Sequence, residues 1–286
     1  MRILIAFCLL LSSCTNSNRI VIGSKNFTEQ VILGELLAQQ IERKTGLSVD
    51  RRLNLGGTLI CHEAMAAGQL DLYVEYTGTA FTAILKEPVI NDPAQVLEKV
   101  RTAYRDRFKV EWTEPLGFNN TFAIIIRTAD SQKFNIHTIS DSAPYTRKWT
   151  ASYGYEFVER EDGYAGLAKI YNLQFPAPPR VMDLGLTYKA LASNQADFIA
   201  GNSTDGLIES LNLTVLEDDK HYFPPYDAVP LVRQAVIDKH PGIRDLLKGL
   251  AGKITEQKMR RLNYLVDGEH RDVKDVVQSF LKDEGL

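Results

Sequence analysis

The sequence predicts an α/β protein built as two similar lobes, and three observations carry that expectation. Apolar β-branched runs alternate with amphipathic stretches: Ile20-Val21-Ile22 is followed by Val31, Leu33, Leu36, Leu37 and Ile41 at helical spacing. Strand and helix units alternating at this length imply parallel sheets covered by helices. A helix–turn–strand unit then occurs twice. Glu63-Ala64-Met65-Ala66-Ala67-Gly68-Gln69-Leu70-Asp71-Leu72 parallels Lys189-Ala190-Leu191-Ala192-Ser193-Asn194-Gln195-Ala196-Asp197-Phe198, at a constant offset of 126 (195 − 69 and 197 − 71). The chain length, 286 residues, suits two domains of about 100–200 residues each.

The first segment reads as an export signal. Met1-Arg2 supplies one positive charge, residues 3–11 form an almost unbroken apolar run, and Ser12-Ser13-Cys14 precedes the polar Thr15-Asn16-Ser17-Asn18. A run this short is a signal-peptide core, because crossing a bilayer takes about 20 apolar residues. Leu11-Ser12-Ser13-Cys14 resembles the bacterial lipobox, whose cysteine is acylated and becomes the mature N-terminus. Residues 1–18 are therefore expected to be a signal peptide with lipobox and polar tether, with Cys14 as the lipid attachment. The mature protein would be exported to the cell envelope and anchored there by lipid. Cys8 leaves with the signal and Cys14 carries lipid, so Cys61 remains alone and no disulfide forms within the mature chain. Cys61 shares the apolar side of a helical stretch with Leu59, Ile60, Ala64 and Met65, where a small buried hydrophobe is its default role. A reactive thiol there would need a basic neighbour.

The elements follow in order. The first strand, 20–22, ends in the loop Gly23-Ser24-Lys25-Asn26, and Asn26 with Glu29 has the spacing of a capping box opening the first helix. Gly46 ends that helix. A strand at 49–55, a helix at 59–67 and a strand at 70–73 come next. Further strands are expected at 122–127 and 181–182, with helices at 163–171 and 186–193. After Pro230 the reading is mostly helical, from 242 to the end. In the repeated unit each helix turns at Gly68 or Asn194 into a strand opened by Gln-x-Asp. Continuing both strands in register places Tyr76-Thr77 beside Asn202-Ser203. Each lobe thus presents a polar loop from the C-terminal end of a strand, where open α/β sheets bind ligands. Two such lobes facing one another make a cleft.

Composition narrows the function classes. With 44% hydrophobic and 24% charged residues the chain is neither disordered nor a multi-span membrane protein. A net charge of −3, from 33 basic and 36 acidic residues, offers no basic field for nucleic acid. Enzyme signatures fail one by one. His62-Glu63 begins a zinc-protease pattern, but Ala66 stands where the second histidine belongs. Gly201-Asn202-Ser203-Thr204-Asp205 approaches a nucleophile elbow, but Asp205 replaces the closing glycine. Gly56-Gly57-Thr58 lacks the Gly-Lys pair of a phosphate loop, and the five histidines are scattered. The runs Glu217-Asp218-Asp219 and Glu159-Arg160-Glu161-Asp162 read as solvated surface rather than as cation sites. No cofactor or metal is expected, and nothing argues for catalysis, although paired carboxylates leave no sequence signature.

Gly23-Ser24-Lys25-Asn26-Phe27-Thr28-Glu29-Gln30 and Glu75-Tyr76-Thr77-Gly78-Thr79 resemble segments of the substrate-binding proteins of bacterial osmoprotectant ABC transporters, which carry glycine betaine, choline and carnitine. Gly117-Phe118-Asn119-Asn120-Thr121-Phe122, Glu156-Phe157-Val158-Glu159-Arg160, Ser203-Thr204-Asp205-Gly206 and Phe223-Pro224-Pro225-Tyr226 continue the match in order along the mature chain. The resemblance implies a two-lobed type II periplasmic-binding-protein fold with a ligand cleft. Lobe 1 would take 19–120 and 226–286, and lobe 2 would take 121–225. It implies a monomeric receptor, not an enzyme, that hands a small osmolyte to an ABC permease.

A trimethylammonium head has no N–H to donate, so electron-rich ring faces select it, at about 0.5–2 kcal/mol per cation–π contact. A carboxylate on the same ligand needs cationic and hydroxyl donors. The resemblance gives Tyr76, Phe122 and Tyr226 as cage walls and Lys25, Thr79 and Arg160 as the carboxylate grip, with Asn120 and Asn202 as further contacts. On residue type alone, Lys25 and Arg160 would be solvated, Phe122 would be core, and Tyr226 would be loop packing. The chain also departs from the family's fuller cage, which has tyrosine where Asn202 and Phe122 stand. Losing one wall costs up to about 2 kcal/mol. An amide at 202 suits a ligand with a hydroxyl, amide or N–H group. Two other readings stay open: a receptor for another zwitterion such as a polar amino acid, and a sensory or enzymatic module on the same fold.

Overall fold

The computed structural model describes residues 19–286; the expected signal segment, 1–18, and Cys14 lie outside the described residues. Two five-stranded sheets organise the chain. The first holds β1 (Arg19–Lys25), β2 (Ser48–Gly56), β3 (Leu72–Tyr76) and β4 (Val110–Trp112). The intervening chain builds the second from β5 (Phe122–Arg127), β6 (Ala151–Tyr153), β7 (Arg180–Val181), β8 (Phe198–Asn202) and β9 (Leu213–Leu216). The chain then returns, and β10 (Ala228–Arg233) joins the first sheet. The orders are β2-β1-β3-β10-β4 and β7-β6-β8-β5-β9. In both, three parallel strands meet an antiparallel strand donated across the boundary: β10 beside β3, and β5 beside β8. These are the two α/β lobes.

The two connections between the lobes run side by side. Asn119 bridges Asp227, Asn120 N–H donates to the Tyr226 carbonyl (3.0 Å), and Ala228 N–H donates to that of Phe118 (3.2 Å). One buried apolar cluster extends through both lobes, from Ile22 and Leu33 to Phe198 and Tyr226.

The repeated Gln-x-Asp unit is a register clamp used twice. Asp71 Oδ2 accepts the N–H of Val21 (2.8 Å), and its Oδ1 takes Arg233 Nη2 (2.6 Å) from β10. Asp197 Oδ2 accepts the N–H of Thr150 (2.9 Å), and its Oδ1 takes Arg127 Nη2 (2.6 Å) from β5. In each lobe, therefore, one carboxylate locks the strand before it and the antiparallel strand beside it. The turns ahead of both are left-handed, at Gly68 (φ 74°) and Asn194 (φ 60°). These are the residue types that adopt such φ values most readily.

Several helices bear on the site. Helix α1 (Thr28–Thr45) ends at Gly46, as expected (φ 69°). The expected capping box at its start is absent: Phe27 is the cap residue, and Glu29 turns inward to other partners. Helix α2 (Thr58–Ala66) buries Cys61, whose thiol burial pushes up to about 12, so Cys61 is packing and not a nucleophile. Helix α3 (Pro93–Phe108), unassigned from sequence, is capped by Asp92, which accepts the Gln95 N–H. Helices α4 (Tyr155–Glu159), α5 (Leu184–Ala192) and α6 (Glu256–Asp267) complete the set used below. No helix of the described residues is long and apolar enough to cross a membrane.

Of three further expectations, two are corrected and one holds. The third strand runs Leu72–Tyr76, later than 70–73, because Asp71 is spent on the clamp. Pro230 lies inside β10, and the mostly helical reading from 242 to the end holds, with helices at Gly242–Lys248, Glu256–Asp267 and Val273–Asp283. The Pro230 carbonyl accepts the N–H of Thr113 (3.1 Å), just past the end of β4, so the missing proline N–H falls where that ladder has stopped. Asp218 is not a solvated charge: it accepts from the Tyr171 hydroxyl and from the N–H groups of Tyr222 (3.0 Å) and Phe223 (2.9 Å), pinning the second connection.

The clamp is testable on its own. Asp197→Ala should lower stability by about 1.5–3 kcal/mol, the range for hydrogen bonds to charged groups, read as a reduced urea midpoint. An unchanged midpoint would show the clamp to be dispensable.

Candidate functional site

The ends of β1, β3 and β8 and the start of β5 converge between the lobes. Lys25, Tyr76 and Asn202 close their strands, Phe122 opens its own, and Asn120 and Tyr226 sit on the two connections. All eight residues singled out from sequence line one cavity of about 30 Å³, together with Phe27 and Glu156. The side chains leave little free space between them.

Both cations of the site arrive already paired. Lys25, 2% exposed, gives Nζ to Glu75 Oε1 (2.6 Å) and Thr58 Oγ1 (3.3 Å), and lies 4.6 Å from the Tyr76 ring centre. Arg160 grips Asp162 with Nε on Oδ1 (2.8 Å) and Nη2 on Oδ2 (2.5 Å), and donates Nη1 to Thr79 Oγ1 (3.0 Å). Its guanidinium stands 4.9 Å from the Phe122 ring centre and 5.7 Å from that of Tyr226. Asp162 also accepts from Tyr226 (2.6 Å) and from Thr82 (2.7 Å). Burial raises the Asp162 pKa, but Arg160 and the two hydroxyls outweigh it and hold the carboxyl below its ordinary value. The run at 159–162 is thus half interior, not the solvated surface expected. Glu156 reaches from lobe 2 to the start of α2, where its Oε1 accepts the Thr58 N–H (2.6 Å). Burial raises it, and Lys25 and Arg160 outweigh that effect, so it too stays ionised. The formal charges of Lys25 and Arg160 against Glu75, Glu156 and Asp162 sum to 2 − 3 = −1.

Behind these walls lie two carboxylates with no cation against them. Glu29, 1% exposed, accepts from Tyr76 (2.5 Å) and Asn120 Nδ2 (2.7 Å) on Oε1, and from Thr204 (2.5 Å) and Asn263 Nδ2 (3.2 Å) on Oε2. Burial raises its pKa, and the four hydrogen bonds offset this only in part. Asp205 accepts the Tyr188 hydroxyl (2.5 Å) and the Asn202 N–H (2.9 Å), and burial pushes it up to about 7. Sequence reasoning missed Phe27, Glu156, Glu29 and Thr204 as parts of the site. All four stand inside the motifs that carried the resemblance, which was the available signal.

Four rings in two pairs, Phe27 with Tyr76 (centroids 6.4 Å) and Phe122 with Tyr226 (5.8 Å), face two pre-neutralised cations in a closable cleft. A site of this kind holds a small solute by enclosing it, and the fold is that of the two-lobed periplasmic binding proteins. The family model described as the substrate-binding domain of the ABC-type glycine betaine transport system matches residues 18–283, and the chain belongs to that family. A carnitine transport binding protein of Listeria monocytogenes is 38% identical, over 98% of this chain and 94% of its own. An ergothioneine transport permease/ergothioneine binding protein of Helicobacter pylori is 37% identical over 93% of this chain, which covers 48% of that longer protein. The crystal structure of a glycine betaine/carnitine/choline ABC transporter superposes with a TM-score of 0.79 at 32% identity, covering 93% of this chain and 98% of that one.

Asp205 makes stability depend on pH. Its folded value of about 7 lies above the ordinary 3.8, so the native state binds more protons than the unfolded one between them. The stabilising contribution is complete below pH 3.8 and is lost as pH rises through 7. The wild-type urea midpoint, measured relative to that of Asp205→Asn, should fall over this window. A flat difference would refute the assignment.

Proposed function

We propose that this chain is the extracytoplasmic receptor of an ABC importer for a quaternary-ammonium osmoprotectant, a betaine-like solute, and that Cys14 anchors it to a membrane. The observation that carries the ligand class is the pairing of ring faces with cations. Tyr76 and Phe122 already hold Lys25 and Arg160 at 4.6 and 4.9 Å, so the walls are built to face positive charge, and a trimethylammonium head takes the same faces. Within our reading the lobes divide at about 120 and 225, and closure brings both sets of walls onto the solute.

The carboxylate end meets a grip with little net charge. Lys25 has three N–H donors and uses two; Arg160 has five and uses three. The remaining donors, one on Lys25 and two on Arg160, would take the ligand carboxylate, with the Thr79 hydroxyl beside them. Asn120 Oδ1 is buried without a hydrogen-bond partner, an acceptor for the polarised methyl groups of the head. The roles are those of a receptor, and no catalytic role is assigned to any residue.

Calorimetry on the mature protein with glycine betaine, carnitine, choline and polar amino acids tests the ligand class. The methylated ammonium compounds should bind, and Tyr76→Leu should weaken glycine betaine by about 0.5–2 kcal/mol. Asn202→Tyr, which adds a ring, should tighten it by up to about 2 kcal/mol. Binding confined to amino acids, or indifference to both substitutions, would overturn the reading. Arg160→Ala is a poor probe alone, because it strands buried Asp162; the pair Arg160→Ala with Asp162→Asn removes the grip without an orphan charge.

The anchor has its own test. Cys14→Ser should move the protein from the membrane fraction to the soluble one or leave it unprocessed. A wild-type protein that is soluble and retains its residue-1 terminus would rule the anchor out.

A further inference from the structure

We propose that the end of lobe 1 opposite the cleft is a docking surface for the anionic phospholipid bilayer that holds the Cys14 anchor. This deepens the anchor reading above and rests on it. Strands β1 and β3 close at the cleft in Lys25 and Tyr76, so their first residues lie at the other end of the sheet. Arg19, which opens β1, pairs in register with Ser48, which opens β2. Arg233 pairs with Val110, which opens β4, and donates Nη2 to Asp71, just ahead of β3. Helices α1 and α3 run back to this end, and their last turns carry Arg43 and Lys44, and Arg105 and Arg107. Lys109 follows α3, and its carbonyl accepts the Gln234 N–H (2.8 Å).

Charge and reach both point to a membrane. Arg19, Arg43, Lys44, Arg105, Arg107 and Lys109 stand at this end, and all six are exposed. The acidic groups among them are Asp50, paired with Arg19, Asp106, 3.6 Å from Arg105, and Glu63 in the last turn of α2. The surface therefore carries 6 − 3 = +3 on a chain whose net charge is −3. The pairs Glu42–Arg51 and Asp71–Arg233 add nothing to it, and the neighbours Asp238 and Lys239 cancel. Arg43, Lys44, Arg107 and Lys109 have no ion-pair partner among the described residues. Cations in a last turn also suit the helix dipole, but Arg19 and Lys109 lie outside both helices. Lys109 holds a left-handed backbone (φ 56°) that glycine or asparagine adopts with less strain, so a cation stands there at a conformational cost. The chain supplies the reach. Arg19 lies five residues beyond Cys14, a span of at most about 18 Å, so an acylated Cys14 keeps this end against the headgroups. Resting on it, the receptor holds its cleft at the far end of β1, away from the bilayer.

The test uses the mature chain, starting at residue 14 and carrying Cys14→Ser, so that binding reports this surface without an acyl group. It is floated with vesicles of phosphatidylglycerol and phosphatidylcholine in equal parts, and with vesicles of phosphatidylcholine alone. It should bind the first and not the second, and binding should fall by about tenfold or more when salt is raised from about 0.05 to about 0.5 M. Arg43→Gln with Lys44→Gln, and separately Arg107→Gln with Lys109→Gln, should each weaken binding by about tenfold. Two independent pairs of exposed side chains guard against a folding defect in either. The control is Arg147→Gln with Lys148→Gln, exposed cations just ahead of β6 at the corresponding end of lobe 2. It should change binding by no more than about twofold. Equal binding to both kinds of vesicle, or an equal loss in the control, would overturn the docking surface and leave the anchor untouched. Selective binding by a chain whose Cys14 proves unacylated in the cell would support the surface and overturn the anchor reading alone.

Discussion

A single buried carboxylate sets the geometry on which the site depends. Glu29 collects four donors that lie 47, 91, 175 and 234 residues away: Tyr76 in lobe 1, Asn120 on the first connection, Thr204 in lobe 2 and Asn263 on α6. These four bonds offset part of the desolvation of a carboxyl with no cation beside it, and burial still raises its pKa. Both amides turn their NH2 groups to Glu29 and leave their Oδ1 atoms without partners, so the carboxylate dictates their orientation. The wall ring, the hinge and the opposite lobe are thus positioned by one group. That is why Glu29 faces inward and does not serve as a helix cap.

The cleft is occupied by the protein's own chemistry. Lys25 and Arg160 lie over the rings that a ligand cation would use, and Glu75 and Asp162 neutralise them. Ion pairs of this burial are costly to form and more costly to break, so neither cation leaves its partner when a solute enters. Recognition must then come from repositioning the rings and from the N–H groups the pairs leave unused. On the betaine reading proposed above, selectivity against a free amino acid would follow from the same arrangement. A methylated head needs only ring faces, whereas an ammonium group asks for acceptors at a fixed geometry.

Much of this was legible in the sequence where the signal is local. Strand 122–127, the turn residues Gly68 and Asn194, and the helix end at Gly46 all follow from periodicity and backbone preference. The repeat was legible as a pattern, but its meaning was not: the carboxylates of Asp71 and Asp197 act on strands from distant parts of the chain. The same limit explains Asp162 and Asp218, whose acidic runs look solvated until their partners are brought to them. The place of Pro230 inside β10 is another case. A proline is excluded from a strand only where its neighbour needs an N–H, and that depends on where β4 stops.

The two lobes repeat one plan at the site and then diverge. At the end of β3 stands Tyr76, its hydroxyl tied to Glu29; at the equivalent end of β8 stands Asn202, its N–H tied to Asp205. Each strand end is thus backed by a buried carboxylate whose pKa burial raises. What differs is the side chain presented to the cleft. Lobe 1 brings Tyr76 and Phe27 with Lys25, whereas lobe 2 brings Phe122 and an amide with Glu156 and Arg160. Neither half contains both a full set of rings and a full set of donors, so a solute bound to one open lobe gains only part of the interaction. Both lobes must therefore engage the solute for full discrimination, and Glu29, shared by Tyr76 of lobe 1 and Thr204 of lobe 2, ties the two sets together.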